Sequence, residues 1–158
     1  MSSIHPDQAV SPSLLRVFAA MVYDTLLLAA ISIGYGALVT LLAVAIQGAP
    51  AQGERLHFPI IVQIAVSISW LLLLMSFYVY FWCRFGQSLG MKTWRIQVVD
   101  ANTLNLVQPT QAVKRACWAL VSLLCLGMGY WISFAHPQGR FLHDLLSKTR
   151  LVLLKKSK

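Results

Sequence analysis

Two long runs of apolar positions dominate the chain. The first extends from Val17 to Ile46, broken only by Asp24 and small polar residues such as Ser32 and Thr40. Read as a helix at 1.5 Å per residue it is about 45 Å long, more than the ~30 Å hydrocarbon core, so it tilts or projects beyond the bilayer. Ser11-Pro12-Ser13 reads as its start, with Ser11 a capping residue and Pro12 tolerated in the first turn. The first span is therefore expected over about 14–46, and Gly34 and Gly36 thin its middle enough for a neighbour to approach closely. Gln47 to His57 reads as a wet loop, because Gly48, Pro50 and Gly53 break the helix and Glu54 and Arg55 are charged. The second run, from Phe58 to Cys83, predicts a span over about 58–83 that stops at Arg84, with Trp70 internal and Phe81 and Trp82 in an aromatic belt.

The pattern then changes period. Gly86-Gln87-Ser88-Leu89-Gly90 reads as a flexible turn, and Arg95-Ile96-Gln97-Val98-Val99 alternates as a short strand does. Asp100-Ala101-Asn102 resembles a tight turn, so Thr103 to Val107 is the expected partner strand of a small cytoplasmic β-hairpin. A third apolar segment, Ala116 to Ala135, is just long enough to span. After Pro137, apolar residues at 141, 142, 145 and 146 predict a short amphipathic helix lying in the interface. Leu151 to Leu154 reads as a strand and 155–158 as a basic tail. These elements predict an all-α integral membrane fold: a flexible segment 1–11, one membrane domain over 12–154, and the tail.

Composition supports the membrane and charge refines the topology. Apolar residues make up 58% of the chain and charged ones 11%, against roughly 45–50% and 25% in soluble domains. The net charge of +8 invites a nucleic-acid reading, but the basic residues flank apolar segments, so anionic lipid headgroups are the expected partner and nucleic acid is not. Eleven of the 13 basic residues lie in 84–115 or after 136. One crossing between those segments would leave a strongly basic one outside, against the positive-inside rule. A re-entrant helical hairpin broken at Gly127-Gly129 removes the conflict, and a plain third span is the alternative. With two spans, both termini are cytoplasmic. Pro6, Asp7, Pro12 and Arg16 precede a run far longer than a signal-peptide core, so no cleavable signal peptide is expected. Cys83, Cys117 and Cys125 have neither CxxC spacing nor a nearby His pair, so no disulfide framework, metal site or cofactor is expected.

A few polar residues stand out against this background. Asp24 lies about two turns into the first span, where an unpaired carboxylate costs on the order of 2.5–3.5 kcal/mol, so it should face protein or water. Arg115, at the mouth of the third segment, is its expected partner. Arg16 is about 12 Å along the same helix from Asp24, too far for an ion pair, and is expected to meet Asp144. His143 beside Asp144 admits two readings: a proton shuttle with its pKa raised toward neutrality, or an interfacial polar pair.

Arg16 opening the first helix, Asp24 within it and the late Asp144 resemble the three signature residues of the RDD family. Gly86-Gln87-Ser88-Leu89-Gly90-Met91 running into Arg95-Ile96-Gln97-Val98-Val99-Asp100 is similar to the family's G-x-T-x-G-K/M…V-V-D block. Leu142-His143-Asp144-Leu145-Leu146-Ser147-Lys148-Thr149 is similar to its closing L-H-D-x-x-x-x-T motif, and Arg115 matches an arginine often found before the last hydrophobic segment. Ser88 replaces the usual threonine, and Ala101-Asn102 lacks the common turn glycine. The resemblance implies a multi-pass protein of the bacterial cytoplasmic (inner) membrane, suspected of transport, with sodium/proton exchange associated with a few members.

Two functional classes follow. In one, the chain is a transporter or transporter component for a small ion or solute. Asp24 then binds the ion, Arg16, Arg115, His143 and Asp144 tune it, and oligomerisation encloses a pathway. In the other it is a non-catalytic accessory or assembly protein that docks a membrane partner or anionic lipid. An enzyme is not expected, since the chain has no HExxH, P-loop or paired-carboxylate motif.

Overall fold

The computed structural model describes residues 10–51, 54, 56–124 and 141–154. The expected Gly127-Gly129 break, the rest of the third segment beyond Leu124, the segment before Val10 and the basic tail lie outside the described residues. In chain order the elements are α1 (Leu14–Gln47), α2 (Ile60–Phe85), α3 (Leu89–Thr93), β1 (Ile96–Asp100), α4 (Pro109–Leu124), α5 (Leu142–Leu146) and β2 (Thr149–Leu153).

Local chemistry sets both ends of the long helices. The Ser13 carbonyl accepts from the amides of Arg16 at 3.0 Å and Val17 at 3.2 Å, which starts α1. Gly48, at φ 85°, ends it by donating to the Val44 carbonyl at 2.9 Å. Pro59 precedes α2, and Gly86, at φ 68°, closes it on the Trp82 carbonyl at 2.9 Å. The two helices have 34 and 26 residues, about 51 and 39 Å, and both are long and apolar enough to cross a membrane.

The chain divides into two compact units. One is Thr25–Ser76, the facing parts of α1 and α2 with their loop. A polar seam joins its helices: Tyr35 Oη lies 2.6 Å from Ser69 Oγ and donates to the Val66 carbonyl at 3.0 Å, and Trp70 Nε1 donates to Ser32 Oγ at 3.0 Å. Trp70, expected to be internal, is 38% exposed beyond this bond. The outer surface is apolar, with Ile33, Leu41 and Ile61 each more than two-thirds exposed, as suits lipid contact. Gly34 and Gly36 do not seat the second helix, because a Cβ at either would meet nothing within 4 Å.

The other unit takes in Met1–Asp24 and Phe77–Lys158 and holds the core. β1 and β2 pair antiparallel, with Val98 opposite Leu151 and Asp100 opposite Thr149. Ile96, Val98, Val99, Leu151 and Val152 are buried. The partner of β1 is thus not Thr103–Val107 but a strand some fifty residues on. Instead, the Asp100 carboxylate gathers the turn that follows it, Leu104 adopts φ 61°, and Asn105 returns one carbonyl to the Asp100 amide at 2.9 Å. The outer edges of the sheet are met as well. Val98 donates to the Gly86 carbonyl at 2.7 Å, and Leu153 to that of Val10 at 2.8 Å, so neither edge is left as an open template.

Candidate functional site

Three polar clusters in the second unit contain most of the residues singled out from the sequence. The first joins α1 to the start of α3. Ser88 caps α3, accepting from Met91 N at 3.3 Å, and donates its hydroxyl to Asp24 Oδ2 at 2.5 Å. The Gly90 amide donates to Asp24 Oδ1 at 2.8 Å, and Asp24 is only 3% exposed. Asp24 therefore faces protein, but its partners are a hydroxyl and an amide, not Arg115. Gly90 fits because it has no side chain: a Cβ there would lie 2.3 Å from the Ala20 carbonyl oxygen. The stretch after Asp24, Thr25 to Gln47, is uncharged and about 35 Å long, enough to cross the hydrocarbon by itself.

The Gly86–Gly90 stretch is consequently no free turn. Gly86 takes its positive φ to cover the edge of β1, Gln87 Nε2 donates to the Ile96 carbonyl at 2.8 Å, and Ser88 and Gly90 hold Asp24. Its letters, Gly86-x-Ser88-x-Gly90, also spell the nucleophile-elbow pattern of serine hydrolases. That pattern needs an exposed Oγ hydrogen-bonded to a base. Here the hydroxyl is buried, donates its hydrogen bond to Asp24 and serves as a helix cap.

The second cluster ties α4 to α5 and β2. Arg115 Nη1 bonds to Asp144 Oδ1, and donates to Thr149 Oγ1 at 2.8 Å. Thr149 Oγ1 lies 2.8 Å from Ser147 Oγ, which donates to the His143 carbonyl at 2.6 Å. All five residues are buried. The guanidinium also sits over the Trp82 ring, 5.1 Å from its centroid, a cation–π contact in a site removed from water. Trp82 is thus buried under Arg115 rather than exposed in an aromatic belt. Asp144 pairs with Arg115 and not with Arg16. Arg16 is half-buried and makes no side-chain hydrogen bond or ion pair among the described residues.

His143 lies inside this cluster, its ring stacked on Phe141 at 5.4 Å. Its Nε2 is 3.7 Å from Asp144 Oδ1, yet Arg115 already neutralises that carboxylate. Burial first, and the Arg115 charge second, push the imidazole down to about 2. This is opposite to the upward shift a proton shuttle needs, so His143 is neutral. Because the unfolded chain takes up this proton near pH 6.5 and the folded one does not, the contribution to stability is complete above pH 6.5. It is lost below that value at up to ~1.4 kcal/mol per pH unit. Thermal unfolding in mild detergent is expected to shift to lower temperature from pH 7 to pH 5, with a shallower dependence in His143→Gln.

The third cluster closes the turn after β1. Asp100 Oδ1 accepts from the amides of Asn102 at 2.9 Å and Thr103 at 2.8 Å, and Oδ2 accepts from Gln111 Nε2 at 2.5 Å. The Gln111 bond first, and the Thr103 amide next, lower the carboxyl to about 2. Its acid loss falls below pH 3.8, clear of the His143 window. Since Asp100 is also the register partner of Thr149, the second and third clusters meet across the sheet.

The amphipathic stretch is inverted relative to the expectation. In α5 the polar His143 and Asp144 are buried, while Leu146 is 44% exposed. Ser88, Trp82, Gln111 and Ser147 complete the clusters without having been picked out as site residues. Only Ser88 and Ser147 carried a signal, as members of the two motif blocks. Cys83 and Cys117 are free, and no group of three or more metal-ligating side chains occurs among the described residues. A family model described as the RDD family matches residues 11–148. No curated protein and no solved structure matches the chain.

Proposed function

This chain belongs to the RDD family, and on that premise we propose that it is a non-enzymatic accessory protein of the bacterial cytoplasmic membrane, whose Arg/Asp set builds a cap at the membrane face. The observation that carries this reading is the internal use of the motif residues. Asp24 is satisfied by Ser88 and Gly90, and Asp144 by Arg115, which also holds Thr149. Carboxylates so occupied join elements distant in sequence. The basic bias of 84–115 and of the tail supports a cytoplasmic cap with both termini on that side, and a third segment that re-enters rather than crosses. The inverted α5 turns Leu146 outward, which suits an interfacial position. A membrane partner protein or a second copy would dock on this assembly.

One observation favours the transport reading: Asp24 is the only acidic residue in either long helix. An ion-binding role for it makes a definite demand. Sodium- or proton-driven flux in proteoliposomes would be measured for the wild type and for Asp24→Asn. The accessory reading expects wild-type flux no greater than in empty liposomes. Robust flux that disappears in Asp24→Asn would establish transport in its place.

A further inference from the structure

The acidic side chains of the capped unit are placed unlike the basic ones. Asp24 and Asp144 are buried, and Asp100 is gathered by Asn102, Thr103 and Gln111. By contrast Arg84, Lys92, Arg95, Lys114 and Lys148 are exposed, and none pairs with a described carboxylate. Folding therefore buries two of the three described carboxylates of this unit, Asp24 and Asp144, ties the third to its own turn, and leaves these basic groups exposed. Among the described residues of this unit, no acidic side chain is exposed.

Apolar side chains lie beside these charges in sequence. Phe85 follows Arg84 and is 52% exposed, Leu89 precedes Lys92 by three residues, and Trp118 follows Lys114 by four on α4. Leu146 stands two residues before Lys148. Residues three or four apart on a helix share a face, so α3 and α4 each carry a basic group next to an apolar one. The surface also begins where α2 ends: Arg84 and Phe85 are its last residues, and the following Gly86 is already bonded to β1. A surface joined directly to a helix of membrane-crossing length lies within reach of lipid headgroups.

We infer that this basic surface is a binding face for anionic lipid, with Arg84, Lys92, Arg95, Lys114 and Lys148 contacting headgroup phosphates and the neighbouring apolar residues seated at the acyl boundary. The inference rests on the placement of the cap at the membrane face. It goes beyond the accessory reading by naming lipid, rather than an acidic protein, as the occupant. The exposed apolar side chains of Leu89, Trp118 and Leu146 beside these charges suit an acyl boundary, which a soluble acidic partner does not offer.

The test is tryptophan quenching in nanodiscs of phosphatidylcholine doped with either brominated phosphatidylglycerol or brominated phosphatidylcholine. The full chain is compared with Lys92→Gln/Lys114→Gln/Lys148→Gln. At equal mole fraction the brominated anionic lipid is expected to quench the wild type more strongly. Enrichment follows from a preference of roughly fivefold for each fully engaged basic residue. The difference should shrink in the triple variant and, without any substitution, in wild type on raising salt from about 0.05 to about 0.5 M. Equal quenching by the two lipids in wild type overturns the inference, as does a preference that neither salt nor the triple variant reduces. The flux measurement is independent of this one, so failure of lipid binding is distinguishable from failure of the accessory reading.

Discussion

Replacing Arg115 with Met is expected to lower stability by about 3–5 kcal/mol, read as thermal unfolding in mild detergent. Met keeps an unbranched apolar stem of similar volume but lacks the guanidinium, so the loss is chiefly one of charge and hydrogen bonding. What remains is Asp144, 2% exposed and without the guanidinium that compensates it. Thr149 loses its bond from Nη1, and Trp82 loses the cation over its ring. The damage should spread to the sheet, because Thr149 is the first residue of β2 and faces Asp100 at the end of β1. Faster amide exchange across Ile96–Asp100 in this variant would report that spread.

Gly90→Ala is expected to cost about 3 kcal/mol, from one added methyl. The new Cβ would fall 2.3 Å from the Ala20 carbonyl oxygen and 2.9 Å from Asp24 Oδ1. The nearer atom is helix backbone and cannot rotate away. α3 must therefore retreat from α1, and in doing so it gives up the Gly90–Asp24 bond. Gly34→Ala and Gly36→Ala are the matched controls. With nothing within 4 Å of either added Cβ, the better helix propensity of alanine should leave stability unchanged or raise it by up to ~1 kcal/mol. Equal losses at Gly90 and Gly36 would contradict this account of Gly90.

The contrast among these glycines marks how far the sequence could be read. Hydropathy located both long helices to within about two residues at each end, because lipid selects for apolar length and the breakers Gly48 and Gly86 stand at the boundaries. Strand alternation over 95–99 and the apolar run over 151–154 were also visible, and they are β1 and β2 within one or two positions. Their pairing was not. A turn-like Asp100-Ala101-Asn102 favours the nearest following strand, and local pattern contains nothing about a partner fifty residues away. The polar residues behaved similarly. Asp24, Arg115 and Asp144 were conspicuous as charges near or within apolar stretches, but a linear chain does not say which donor reaches which carboxylate. Arg115 went to Asp144, and Asp24 took Ser88 and Gly90, a hydroxyl and an amide that hydropathy does not single out. For His143 the neighbour in sequence suggested an upward pKa shift, whereas burial beside Arg115 drives it down.

If the Arg115–Asp144 pair serves to hold α4 against α5 and β2, apolar side chains of similar size can take its place. The most direct test is the unfolding temperature, in the same detergent, of Arg115→Met/Asp144→Leu beside Arg115→Met alone. Removing both charges leaves no uncompensated carboxylate, so the double variant is expected to recover most of the stability lost in the single one. A double variant as unstable as Arg115→Met, or more so, would contradict the structural role assigned to the pair.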